Sequence, residues 1–263
     1  MMWFSNFIGV TFPFFGEGSA MHRIYSLLLP LAAVASLACS TKAQNEARDT
    51  TRTRGESARA VAGGGISVQG WTGQIDASEA SRGQALKNAK LDKAGDALHV
   101  TTGPAVAYWN PSNNASGDYS VKATFTEPKY MNLNDHPHPY GVFIGGNDMG
   151  TPNQTYLYCA AYGNGTFIVR GFGPQPFQMN GRRGEENKAV NKAAAAGSPV
   201  TQQIALSVSG DKVQCAINGT VVATYKKSDV VGPGKLKSTD GVYGIRFAHN
   251  TEGLVTGLTV TKP

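Results

Sequence analysis

Val200 to Tyr225 reads VTQQIALSVSGDKVQCAINGTVVATY, and its pattern decides the fold. Ile204, Leu206 and Val208 alternate with polar or small neighbours, Gly210-Asp211 interrupts, and Val213, Cys215 and Ile217 alternate again. Asn218-Gly219 follows, the pair best able to hold positive φ at both central positions of a type I′ turn. Val221, Ala223 and Tyr225 then resume the period of two. The stretch predicts three antiparallel strands with one buried face. Its register is pinned, because a slip of one residue would turn the whole apolar set to water.

The same pattern extends outward in both directions. After Gly63-Gly64-Gly65 come Ile66 and Val68, a hairpin from Leu86 to Thr102 around Lys93-Ala-Gly-Asp96, and a strand from Ala105 to Trp109 ended by Asn110-Pro111. Tyr119, Val121, Ala123 and Phe125 alternate with polar partners, which predicts a half-buried strand. Tyr140 to Gly146, Thr155 to Tyr162 and Thr166 to Phe172 follow, separated by Gly-Asn turns, and Gly241 to His249 and Leu254 to Thr261 close the chain. Residues 173–199 depart from the pattern, and Glu185 to Ala196, short and Ala-rich, is the one predicted helix. About a dozen strands without βαβ alternation predict two packed antiparallel sheets rather than a closed barrel. The 263 residues, 32 of them Gly, with 16% charged and 41% apolar, suit one large all-β domain over residues 66–263.

Residues 1–39 read as a leader. Met21-His22-Arg23 is a basic start, Ile24 to Ala38 an apolar run too short to span a bilayer comfortably, and Ala38-Cys39 a small-residue cleavage site, so translation is expected to start at Met21. Ser36-Leu37-Ala38-Cys39 resembles a bacterial lipobox with its Leu one place late, which would make Cys39 a lipidated residue; cleavage after Ala38 or Ala43 is the alternative. Residues 40–65 are expected to be a disordered linker, polar and without apolar period. A periplasmic or outer-membrane lipoprotein follows from this, with secretion as a soluble chain the alternative. Membrane contact would then be through the anchor only.

The net charge is +6, of which Lys42, Arg48, Arg52, Arg54 and Arg59 against Glu46, Asp49 and Glu56 supply +2. About +4 remains on the domain, with no basic cluster interleaved with aromatics, so nucleic acid is not an expected partner. Cys159 and Cys215 each share a strand face with apolar residues and both point into the core. They are either a disulfide, which export permits, or two buried thiols.

The run Ser207-Val-Ser-Gly-Asp-Lys-Val-Gln-Cys-Ala-Ile-Asn-Gly-Thr-Val-Val222, with Asp240-Gly-Val-Tyr-Gly-Ile-Arg-Phe-Ala-His-Asn250 and Gly257-Leu-Thr-Val-Thr-Lys262, resembles the C-terminal half of concanavalin A-like lectin/glucanase (LamG-like) jelly rolls. The 3-keto-disaccharide hydrolase domain is a vaguer likeness. The resemblance covers roughly residues 66–262 and rests on turn motifs, so it implies a fold and not an activity. Members include lectins, carbohydrate-binding modules, glycoside hydrolases and adhesion modules.

Glucanases of that fold carry E-x-D-x-x-E on one strand, and no such triplet occurs here; the acids are scattered, Asp76 and Glu79 among them. If the chain is a glycoside hydrolase, Asp135 and Asp148 are the carboxylates expected to meet across one strand. No cofactor or metal is expected. Asn132, Asn134, Asp135, Asn147 and Asp148 could hold calcium, but their contexts are those of turns. His136 and His138 stand as His-Pro-His-Pro, an extended segment that projects both imidazoles to one side, where His249 could complete a transition-metal site. The alternative is an exposed, proline-stiffened loop.

The stronger signal is one sheet face. Tyr156, Tyr158 and Tyr162 share parity opposite Leu157 and Cys159; Arg170 and Phe172 share parity on the next strand; Arg246 and Asn250 lie opposite Tyr243, Ile245 and Phe247. With the apolar sets between the sheets, the outer face would offer rings, guanidinium groups and an amide to a sugar, and His138 joins this ligand-binding set. Lys188 to Ala196 with Arg182-Arg183 could cover this face as a lid, or be an insertion. The sequence therefore reads as an exported, lipid-anchored, carbohydrate-binding module without chemistry of its own. The alternatives are a glycoside hydrolase, with converging carboxyls, and a structural envelope module, with a filled face.

Overall fold

A computed structural model of the chain describes residues 58–263. The leader, Met21, Cys39 and the linker to residue 57 lie outside the described residues. Two eight-stranded sheets pack face to face as a jelly-roll sandwich. The first contains β1 (Gly65–Ile66), β3 (Ala89–Ala94), β4 (Ala97–Thr102), β16 (Glu252–Thr261), β6 (Tyr119–Glu127), β12 (Val200–Ser209), β13 (Lys212–Ile217) and β14 (Thr220–Lys226), in that order. The second runs β10 (Pro176–Gln178), β9 (Thr166–Phe172), β8 (Thr155–Ala161), β7 (Tyr140–Asn147), β15 (Gly241–Phe247), β5 (Val106–Ala115) and β2 (Thr72–Ile75), with β11 (Glu185–Glu186) on the free side of β9. Pairing is antiparallel except between β1 and β3.

The meander that decides the fold takes its expected register. Ile204 pairs with Ile217, Leu206 with Cys215 and Val208 with Val213, and all six are buried. Asn218 and Gly219 hold φ of 50° and 80°, the double positive that a type I′ turn demands. Between the sheets, Phe125, Tyr140 and Phe247 form an aromatic knot with centroids 5.7 to 5.9 Å apart. A disulfide links Cys159 on β8 to Cys215 on β13 and so joins the two sheets through the core.

Three features differ from the sequence reading. First, Glu185 to Ala196 is not a helix. Glu185–Glu186 pairs with β9, Asn164 bridges to Lys192, and Val190 is buried in the inter-sheet core, so tertiary pairing overrides the helical propensity of the alanines. Among the described residues the α-helices are single turns, Ala77–Ala80 and Lys227–Val230. Second, β5 continues past Asn110-Pro111. Pro111 stands in a bulge where β15 offers one residue between Val242 and Gly244, and β2 has ended at Trp109, so its missing N–H breaks no ladder bond. Third, the last residues of the expected linker lie against the domain: the Arg59 amide donates to Asn250 Oδ1 at 2.7 Å, and Gly65–Ile66 pairs with β3.

Candidate functional site

Side-chain parity along β8 divides the second sheet as its sequence implies. Leu157, Cys159 and Ala161 point between the sheets, whereas Tyr156, Tyr158 and Ala160 join Ala107, Trp109, Phe143 and Ile168 in a separate apolar cluster on the outer face. Two cross-strand layers explain the shape of that face. In one, Trp109, Gly244, Phe143, Tyr158 and Arg170 are successive partners, and the rings fill it. In the next, Ala107, Arg246, Gly141, Ala160 and Ile168 are partners, and all but Arg246 and Ile168 are small. Beyond the ring layer the face is hollow, and a cavity of about 440 Å³ opens there.

Arg246 forms its floor. The guanidinium Cζ stands 5.2 Å from the centroid of Tyr158 and 5.1 Å from that of Phe172, and Nη2 donates to Asp76 Oδ2 at 2.6 Å. Burial works against the charge, but Asp76, Tyr156 and Tyr158 together outweigh it and keep the arginine protonated. Arg246 Nη1 and, on the wall, Arg170 Nε have no hydrogen-bond partner. Tyr162 and Gln178 also line the cavity.

Asp76 and Glu79, which the sequence reading left among the scattered acids, both stand on this cavity. Asp76 is the N-cap residue of the Ala77–Ala80 turn and Glu79 lies within that turn, three residues on. Burial raises the Glu79 pKa; Arg82 pulls it down and Asp76 pushes it up. No local signal marks them, because Asp76 meets Arg246 across 170 residues.

The other wall is the His-Pro-His-Pro segment with His249; Asp135 and His136 on it are exposed, as a surface loop would be, but His138 is buried. His138 Nδ1 lies 2.5 Å from the His249 carbonyl oxygen, His138 Nε2 lies 2.7 Å from His136 Nε2, and His136 Nδ1 lies 2.6 Å from Asp135 Oδ1. His249 Nδ1 faces Glu79 at 3.7 Å, and its Nε2 is buried without a partner. One ring nitrogen from each histidine falls within 4.8 Å of the others. Burial, and then the neighbouring histidine His249, push His138 down to about 4; burial, followed by His136, does the same to His249.

Of the ligand-binding residues named from sequence, Tyr158, Tyr162, Arg170, Phe172, Arg246 and His138 meet at this cavity. Tyr156 does not reach it. It shares the face but is covered, its ring packed on Phe143 and Phe172 at 5.0 Å. Asn250 does not reach it either, because β15 ends at Phe247 and parity lapses in the turn that follows, where Asn250 has φ of 51°.

Asp135 and Asp148 do not converge. They lie beyond opposite ends of the eight-residue β7, about 25 Å of strand. Asp148 is paired with Lys237 and Asp135 with His136. The candidate calcium ligands divide the same way: Asn132, Asn134 and Asp135 precede β7, while Asn147 and Asp148 sit at its far end, so the set does not gather around one point. Asn134 donates to the Asn250 carbonyl, and Asn147 to those of Gly145 and Asp240. The 182–196 segment lines no part of this cavity, though the Arg182 carbonyl accepts a hydrogen bond from Arg170 Nη2 on its wall.

No family model and no curated protein matches the sequence. Among solved structures, the chain is similar to the carbohydrate-binding module CBM66 from Bacillus subtilis, at 7% identity and TM-score 0.49 over 75% of this chain and 99% of that one. It is similar to the endo-β-1,3-glucanase from Pyrococcus furiosus, at 14% identity and TM-score 0.48 over 76% of this chain and 91% of that one. A protein of unknown function with a galectin-like fold from Bacillus subtilis is similar at 13% identity and TM-score 0.48, over 74% and 90% of the two chains. Each is a similarity of backbone arrangement and assigns no ligand. The two-sheet antiparallel jelly-roll sandwich stands on the strand pairing itself.

Proposed function

We propose that this chain is an exported carbohydrate-binding module that takes a saccharide in the cavity over Arg246. The observation that carries the reading is a pair of guanidinium nitrogens, Arg246 Nη1 and Arg170 Nε, left without acceptors beside the rings of Tyr158, Phe172 and Tyr162. Unsatisfied buried donors call for an acceptor oxygen, and ring faces accept the apolar side of a pyranose. Lipidation at Cys39 belongs to the same proposal and rests on the leader. It is tested by metabolic fatty-acid labelling, which Cys39→Ser should abolish.

The binding test is a glycan array, followed by titration of the best saccharide into Tyr162→Ala and Arg170→Ala. Both residues are only partly buried, so both variants should fold. Affinity should fall by about tenfold or more, about 1.4 kcal/mol. Unchanged affinity in both variants would contradict the reading.

A second reading, glycosidic cleavage, draws on a different observation: Asp76 and Glu79 place two carboxyls on one wall, Glu79 raised by burial as a general acid requires. It predicts release of an aryl aglycone by the wild-type chain and none by Glu79→Gln. Saccharide that binds and stays intact would exclude it.

A further inference from the structure

We propose that His136, His138 and His249 bind one divalent transition-metal ion at the wall of the cavity. This proposal does not depend on the saccharide reading. It begins with the hydrogens on the rings. A carbonyl oxygen only accepts, so His138 Nδ1, at 2.5 Å from the His249 carbonyl, carries the hydrogen. His136 Nδ1, at 2.6 Å from the Asp135 carboxylate, carries one for the same reason. A neutral imidazole has one N–H, so both rings then present a bare Nε2, and these two nitrogens face each other at 2.7 Å. Two lone pairs that close repel unless a proton or a cation stands between them.

The third histidine favours the cation. His249 Nε2 is buried and has no partner, while Glu79 stands 3.7 Å from its Nδ1 on the other side of the ring. A shared proton would satisfy His136 and His138 and leave His249 unmet, whereas one metal ion takes all three. Ligand nitrogens about 2.0–2.1 Å from a tetrahedral ion lie about 3.3 Å apart. That spacing falls between the 2.7 Å separation of His136 and His138 and the 4.8 Å limit that contains the whole cluster.

Two outer nitrogens already have the support that metal-ligating histidines use, the Asp135 carboxylate for His136 and the His249 carbonyl for His138, and the Glu79 carboxylate stands 3.7 Å from His249 Nδ1, beyond hydrogen-bond distance but beside it. Imidazole donors select zinc, copper, nickel, cobalt or iron over calcium and magnesium. All three histidines line the cavity, so an ion held by them would lie at its wall, where water or a ligand oxygen could complete the coordination. The local sequence builds most of this. Prolines 137 and 139 hold the segment extended, and β15 delivers His249 two residues after Phe247.

The test uses the untagged chain, stripped with a chelator and titrated with Co²⁺ and with Zn²⁺ alone, by calorimetry and visible absorption. One ion per chain is expected, with the intense visible bands of four-coordinate cobalt. His136→Ala and His249→Ala should each weaken binding by on the order of 100-fold or more, and Glu79→Gln by about tenfold. His136 is exposed, so its variant should fold even if a change at buried His138 does not; circular dichroism of the metal-free variants checks this. Tyr162→Ala should bind metal like the wild type, which separates this outcome from loss of saccharide. The proposal is overturned if no stoichiometric ion binds, or if binding persists in both His136→Ala and His249→Ala.

Discussion

The outer faces of the two sheets are built from strands of the same type and behave in opposite ways. Along β6 and β12 buried and accessible residues alternate, with Lys122 and Gln203 turned to water. Along β8 all seven residues are buried, because a second apolar cluster of Trp109, Phe143, Tyr156 and Tyr158 covers the side away from the core. A strand with one solvated face announces itself by alternation; a strand buried on both faces reads as a continuous apolar run. On the second sheet the decisive information is therefore which residues are small. Ala107, Gly141 and Ala160 add little side-chain bulk to the cross-strand layer of Arg246, while large rings occupy the layer beside it.

The disulfide that ties the sheets together is expected to have the largest effect. Cys159→Ala with Cys215→Ala removes a link spanning 56 residues, a loss of about 4 kcal/mol in urea denaturation by loop-closure entropy. A change under about 1 kcal/mol would mean the sheets hold together without it. Next comes a direct contrast of the outer faces. Arg246→Met leaves Asp76 half-buried and unpaired and should cost about 3 kcal/mol, with part of the loss restored by adding Asp76→Asn. Equal stability of Arg246→Met and wild type would break the comparison.

A third effect, of similar size, depends on pH. Burial raises Glu127, at the end of β6, to about 7, although the Met131 amide bonds its Oε1 at 3.1 Å and pulls the other way. The folded pKa stands above the unfolded value, so the protonated form stabilises the fold. That contribution is complete below about pH 4.5 and is lost as pH rises through 7. Relative to Glu127→Gln, the wild type should lose about 3 kcal/mol over this window, read from denaturation midpoints. A constant difference between the two would contradict it. Lys122→Met on the first sheet should move stability by less than about 0.5 kcal/mol, the smallest effect of the series.

How much was legible follows the same division. The meander, its two turns and the burial of Ile204, Leu206 and Val208 were readable because local turn chemistry and period agree. The parity of Tyr158, Arg170 and Arg246 was readable too, since it needs only the strand's zigzag. Tyr156 was misplaced because parity says which face a ring joins and not what lies over it; Asn250 was misplaced because parity ends with the strand. The Asp76–Arg246 pair was out of reach, being a contact between a single helical turn and a strand far along the chain. The absent helix at Glu185 to Ala196 shows alanine propensity overruled by an available strand edge on β9.

The most direct test of the central claim places the ligand on one face. With ¹³C-labelled tyrosine rings and the best saccharide from the array, titration followed by NMR should shift Tyr158 and Tyr162 and leave Tyr119 and Tyr225 of the first sheet unmoved. Shifts confined to Tyr119 or Tyr225 would put the ligand on the wrong sheet and contradict the account.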